Sequence, residues 1–213
     1  MKKDIKVCIL DFDGTLVTKD ILTLLCGVVG KLEESEKLND AFTRGEINGL
    51  DALVTRITFL SGMTHSQIFE FLRKENYLMP GAEELMKFLK DNKIITILAS
   101  GNIPPVLEYY QKLLGIDYIV GPQPEMDGEK ILELKKSSFS SLYFKKDGIK
   151  NIIDPMNLEK ENIVAIGDGP GDKQTFELSG YNIAFNPQGR IEAFADVVVM
   201  DDLRNVIKVL ESL

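Results

Sequence analysis

Five short runs of apolar and β-branched residues punctuate the chain: Lys6–Leu10, Ile94–Ala99, Ile163–Ile166, Tyr181–Phe185 and Val197–Met200. Their apolar positions are continuous rather than alternating, as expected for strands buried on both faces of a parallel sheet. Between most of them the period changes to that of a helix. Pro80-Gly81 opens a predicted helix over Ala82–Asp91, where Leu85, Met86, Phe88 and Leu89 form one apolar stripe. Pro104 opens a second, which runs to Leu114 and stops at Gly115, and Leu203–Leu213 makes a closing helix. Strands that alternate with helices predict an α/β fold, a parallel sheet with helices on both faces in three layers.

One region breaks the alternation. Residues 18–78 show no strand pattern, whereas Leu50, Leu53, Val54, Ile57 and Leu60, and then Ile68, Phe69 and Leu72, follow helical spacing. The expected organisation is a discontinuous core, 1–17 and 79–213, with a helical cap, 18–78, inserted between the first two strands and seated over the strands' carboxyl ends. Residues 123–145 are less regular, with Asp127-Gly128 as the turn of a small hairpin.

The strand ends carry the chemistry. The first run gives way to Asp11-Phe12-Asp13-Gly14-Thr15, the second to Ser100-Gly101-Asn102, and the third to a Gly-rich turn holding Asp168 and Asp172. Ligands of open parallel α/β sheets bind at the carboxyl ends of strands, so these acids should converge. Clustered carboxylates without cysteine or histidine suit a hard cation, above all Mg²⁺, and with small-residue turns they suit phosphoryl transfer. An EF-hand reading fails: glycine comes at the fourth position of the loop and Leu22 stands at the twelfth. There is no G-x-G-x-x-G and no Walker lysine-serine. Either acidic loop alone reads equally as a solvated turn or as part of a site. Both together, flanking the serine-glycine-asparagine loop in order, point to a site.

Composition narrows the classes further. A formal net charge of −8 argues against nucleic acid or an anionic membrane as the main partner. The basic start meets Asp11 too soon for a signal peptide, and the apolar stretch Ile21–Val29 falls far short of the ~20 residues of a membrane span. Two cysteines, Cys8 and Cys26, make no metal-like spacing and fit a reducing cytoplasm. The single histidine, His65, follows Thr64 in a capping box completed by Gln67. A Ser-His-Asp hydrolase or a histidine-based zinc site is thereby disfavoured.

Taken in order, Asp11-Phe12-Asp13-Gly14-Thr15, the apolar run ending in Ser100-Gly101-Asn102, a lysine, and the run from Gly167 to Asp172 resemble the four-motif signature of the haloacid dehalogenase superfamily. The helical insertion resembles the cap of its phosphoserine phosphatase-like branch. The resemblance implies a Rossmann-like core. It implies Asp11 as a nucleophile that becomes an aspartyl-phosphate, and Asp13 as acid and then base. It implies Mg²⁺ on the Asp11 carboxylate, the Asp13 main-chain carbonyl and Asp168, supported by Asp172. Ser100, the backbone at Gly101 and a lysine would hold the phosphate. Lys145 and Lys146 both stand before the last motif, and the offsets to Ile149, Ile152 and Ile153 favour Lys146. An acid two residues after the nucleophile implies a phosphatase rather than a dehalogenase, because an alkoxide needs a proton on leaving and a halide does not.

Asp20 and Arg56 stand where this branch reads the amino and carboxylate groups of phosphoserine. The sequence departs from the pattern at Asp20, one methylene shorter than glutamate, at Gly49, near where an aromatic is expected, and at Gly171, where asparagine is usual. The expected protein is a cytoplasmic monomer or homodimer acting on a small phosphorylated metabolite, with no nucleic acid and no membrane partner. Phosphoserine is the first choice of substrate and another small phosphate ester the second. The rival class is a non-catalytic phospholigand-binding protein on the same fold.

Overall fold

The computed structural model describes residues 4–139 and 143–213. The basic start at 1–3 and part of the irregular 123–145 stretch lie outside the described residues.

Six strands form one parallel sheet: β1 (Val7–Leu10), β2 (Ile95–Ala99), β3 (Tyr118–Val120), β6 (Ile163–Gly167), β7 (Tyr181–Phe185) and β8 (Val197–Val199). Their spatial order is β3-β2-β1-β6-β7-β8. The five predicted runs all appear as strands. The sixth, β3, is a three-residue edge strand paired only with β2, too short to stand out in the sequence. The pleat sends alternate residues to opposite faces. Cys8 and Leu10 of β1 join one buried cluster with Leu85 and Leu89 of α5 (Ala82–Asp91), Val106 and Tyr110 of α6 (Pro104–Leu114), and Val206 of α9 (Arg204–Ser212). Val7 and Ile9 join the other cluster with Ile149 and Ile153 of α7 (Phe144–Ile153) and Phe176 of α8 (Lys173–Phe176). This is the three-layer Rossmann-like arrangement expected. Gly115 ends α6 in the left-handed conformation at φ 68°, where glycine bears no Cβ penalty.

Between β1 and α5 the chain makes four helices: α1 (Ile21–Val28), α2 (Leu32–Thr43), α3 (Gly49–Phe59) and α4 (His65–Leu72). It leaves and returns side by side, with Thr18 N–H donating to Tyr77 O at 2.9 Å and Met79 N–H to Leu16 O at 2.9 Å. The capping box of Thr64 and Gln67 forms as the sequence predicts. The Asp127-Gly128 hairpin also forms, as β4 (Glu125–Asp127) and β5 (Lys130–Glu133). It reaches the α3–α4 turn: Gly62 N–H donates to Ile131 O at 2.7 Å and Ile131 N–H to Met63 O at 3.0 Å. Among the described residues no helix is long and apolar enough to cross a membrane.

Candidate active site

The turn after β1 is pinned from below. Phe12 is fully buried and meets the Tyr110 ring edge-on at 4.9 Å, while its carbonyl accepts from Leu16 N–H at 2.9 Å. Gly14 sits at φ 84°, and a Cβ there would collide with the Asp168 carboxylate. Only glycine satisfies both demands. Its bareness lets the first and third acidic strand ends approach each other.

Because β2, β1 and β6 are neighbours, their carboxyl ends deliver three loops to one place. Asp11, Asp168 and Asp172 each offer a carboxylate oxygen to one cluster, all within 4.8 Å of one another. All three are buried, and one ammonium answers them: Lys145 Nζ lies 2.7 Å from Asp11 Oδ1 and 3.1 Å from Asp172 Oδ1. Asp172 also accepts from Asp168 N–H and Gly169 N–H, both at 3.1 Å, which fixes the turn that carries Asp168.

Lys146, which the sequence offsets favoured, is not at this site. Its Nζ lies 2.6 Å from Glu177 Oε2, on the outer side of α7. The buried residues of α7 are Lys145, Ile149 and Ile153, spaced four residues apart, and Lys146 projects about 100° around the helix from Lys145.

The charges balance poorly without a cation. Burial first, and Asp172 second, push the Asp11 carboxyl well above its usual range against the pull of Lys145. The same two causes raise Asp168 to about 8. Burial disfavours the Lys145 ammonium, but Asp11 and Asp172 outweigh it and hold its pKa above the ordinary value. Three buried carboxylates with all-oxygen donors against a single lysine fit a hard divalent cation better than they fit one another.

Asp13 stands outside this cluster. Its Oδ1 accepts from Ile21 N–H at 2.8 Å, at the start of α1, and Asn102 Nδ2 lies 3.3 and 3.2 Å from its two oxygens. Burial, with the charge of Asp20 second, pushes its carboxyl up to about 7 although both hydrogen bonds oppose this. Ser100 Oγ accepts from Asn102 N–H at 3.0 Å, leaving its own hydrogen for the cleft. Asn102 and Gln188 are the polar neighbours that the sequence reading assigned no role. Gln188 Nε2 donates to Asp168 Oδ2 at 2.8 Å from a loop beyond β7. Asn102 could have been suspected from its place beside Ser100-Gly101, whereas Gln188 carries no motif.

These groups share a cleft of about 380 Å³ with Lys19 and Asp20 ahead of α1, Asn39 and Phe42 of α2, and Gly49, Leu53 and Arg56 of α3. Asp20 caps α1 through Thr23 N–H at 2.9 Å and pairs with Arg56 Nη2. Arg56 is buried, and its remaining donors reach Thr23 Oγ1 at 2.7 Å, Ser35 Oγ at 2.9 Å and Asn39 Oδ1 at 3.4 Å. Asp20 and Arg56 thus both line the cleft, bonded to each other. At Gly49, near where the resemblance leads one to expect an aromatic, the ring of Phe42 lies against the bare backbone. His65 stands in the first turn of α4 and does not line the cleft.

The family model of haloacid dehalogenase-like hydrolases matches residues 8–177. The chain is 28% identical to a phosphoserine phosphatase of Campylobacter jejuni subsp. doylei, over 97% of this chain and 100% of that protein. A solved substrate-bound phosphoserine phosphatase complex superposes with a TM-score of 0.84 at 25% identity, covering 97% of this chain and 99% of the other. A phospho-aspartyl intermediate analogue of phosphoserine phosphatase superposes with a TM-score of 0.83 at 25% identity and the same coverage.

Proposed function

The chain belongs to the haloacid dehalogenase-like hydrolase family, and from that premise we propose that it is a Mg²⁺-dependent phosphoserine phosphatase, converting L-phosphoserine and water to L-serine and phosphate. The observation that carries this reading is the buried cluster of Asp11, Asp168, Asp172 and Lys145 in one cleft with Asp13, Asp20 and Arg56. Full-length similarity to a phosphoserine phosphatase supports the choice of substrate.

In this reading Asp11 attacks phosphorus. A bond forms from its carboxylate oxygen, the phosphorus–oxygen ester bond breaks, and Asp13 gives a proton to the departing serine alkoxide. Asp13 then takes a proton from water as that water attacks the aspartyl-phosphate, which frees Asp11 and releases inorganic phosphate. Asn102 and Ile21 N–H hold the Asp13 carboxylate in place for both steps. Lys145, in place of Lys146, supplies the charge beside the nucleophile and the phosphate, with Ser100 and the backbone at Gly101 as further donors. Mg²⁺, held by Asp11, Asp168 and the main-chain carbonyl of Asp13 and supported by Asp172, would neutralise charge that otherwise repels a phosphate dianion. The helices of 18–78 act as a cap that excludes water. We place the activity in the cytoplasm, a setting that suits two buried free thiols, Cys8 and Cys26.

The test is phosphate release from a panel of small phosphomonoesters. L-Phosphoserine should be the preferred ester, and chelator should abolish release that Mg²⁺ then restores. Release that ignores chelator, or none from any ester, would overturn the reading.

A second reading, a phosphatase for another small phosphorylated metabolite, is favoured by one observation. The Arg56 guanidinium is already bonded to Asp20, Thr23, Ser35 and Asn39, so a substrate carboxylate must compete for it. Arg56→Lys separates the two. If Arg56 reads the carboxylate, kcat/KM for phosphoserine falls about 30-fold or more, the scale of one charged hydrogen-bonded contact. Esters without a carboxylate should fall far less. An equal loss for all esters would favour the second reading.

A further inference from the structure

Two residues at the helical end of the cleft have no part in the chemistry above, yet they are fitted to each other. Phe42 is the penultimate residue of α2, Gly49 is the first of α3, and both line the cleft. A Cβ on Gly49 would stand 2.6 Å from Phe42 Cε2, 3.1 Å from Cδ2 and 3.2 Å from Cζ. No side chain at 49 can coexist with the ring where it lies. Gly49 is not among the glycines with positive φ, so its backbone does not demand glycine. The ring of Phe42 does.

The next residue ties this wall to the acidic end. A Cβ on Gly189 would be 2.7 Å from Pro170 Cγ and 3.3 Å from Thr43 O. The end of α2 therefore rests where Pro170, in the turn between Asp168 and Asp172, meets the loop after β7. The ring of Phe42 lies against the bare backbone of α3, and its neighbour Thr43 seats the end of α2 against the core. Leu22, Leu50 and Leu53 continue its apolar wall, and Asp20, Asn39 and Arg56 supply the polar groups of the same end.

We propose that Phe42 is a specificity-determining residue, whose ring, seated on Gly49, limits the size of the alcohol part of the phosphomonoester and selects compact aliphatic ones. The proposal rests on the phosphomonoesterase reading and falls with it. A ring set against backbone cannot move toward α3 without displacing that helix, so a bulky leaving group meets a wall on that side. An apolar pocket discriminates by about 10–200-fold per methylene, and removing the ring opens room for several carbons.

The experiment compares kcat/KM for L-phosphoserine and O-phospho-L-tyrosine, which share the amino and carboxylate groups and differ in bulk. Failure of the underlying reading shows in the wild-type protein alone, which would then release phosphate from neither. Phe42→Ala should shift the ratio toward phosphotyrosine about tenfold or more. Gly49→Ala should shift it the same way by displacing the ring. The exchange Phe42→Ala/Gly49→Phe, which returns an aromatic from the facing position, should bring the ratio back toward the wild-type value. Thermal melts establish that each variant is folded. A folded Phe42→Ala protein whose ratio stays at the wild-type value overturns the proposal. So does a folded exchange variant that shifts as far as Phe42→Ala, which would mean general loosening rather than loss of the ring.

Discussion

Asp11→Asn is expected to abolish phosphate release while leaving the protein folded. In the proposed mechanism Asp11 forms the bond to phosphorus, and no neighbour can replace it. Asp168 and Asp172 are held by Gln188, by the backbone of their own turn and by Lys145. Removing a nucleophile from a hydrolase that works through a covalent intermediate costs several orders of magnitude, at least about 10⁴-fold here. The fold should survive for a local reason. Asparagine keeps the volume of aspartate, its Oδ1 can still accept from Lys145 Nζ, and one of three mutually repelling buried carboxylates is gone. In cation-free buffer the melting temperature should be no lower than that of wild type. The measurement pairs a thermal melt with a long-incubation phosphate assay. Turnover within tenfold of wild type by the folded variant would remove Asp11 from the role assigned to it.

What the sequence revealed of this site, and what it hid, follows from how local each signal is. Asp11, Asp13, Asp168 and Asp172 were legible because each follows an apolar run that ends abruptly in polar residues, a signal contained in a few positions. Their convergence was legible from topology. Parallel strands place their carboxyl ends on one edge, so Lys145 meets Asp11 across 134 positions and Asn102 meets Asp13 across 89. The network around Arg56 was not legible. Its partners lie 17 to 36 positions away on other helices, and only the packing of α1, α2 and α3 decides which polar groups face inward. The edge strand β3 hid for a different reason. Three residues with one neighbour bury too little to impose a pattern. Gln188 reaches Asp168 from a loop, where no periodicity announces a direction.

The lysine shows the limit most sharply, and it carries the second large prediction. Ile149 and Ile153 lie four and eight residues after Lys145, and three and seven after Lys146. Both sets of offsets fall on one helical face, so an apolar stripe cannot separate the two lysines. Burial can. Lys145→Met keeps the aliphatic stem and deletes the ammonium, leaving the Asp11 and Asp172 carboxylates buried without a counter-charge. Breaking a buried ion pair from one side costs about 3–5 kcal/mol, which should appear as a clearly lower melting temperature in cation-free buffer. Loss of a fixed positive donor at the phosphate should lower kcat about 10²–10³-fold even with Mg²⁺ present. Lys146→Met removes only a solvent-exposed partner of Glu177 and should match wild type in both measurements. The two variants differ by one position and by about 100° around α7, so they test that helix's orientation and the site assignment together. Loss of activity in Lys146→Met with Lys145→Met unaffected would place the charge on the other face of α7, and the site geometry derived from Lys145 would fail with it.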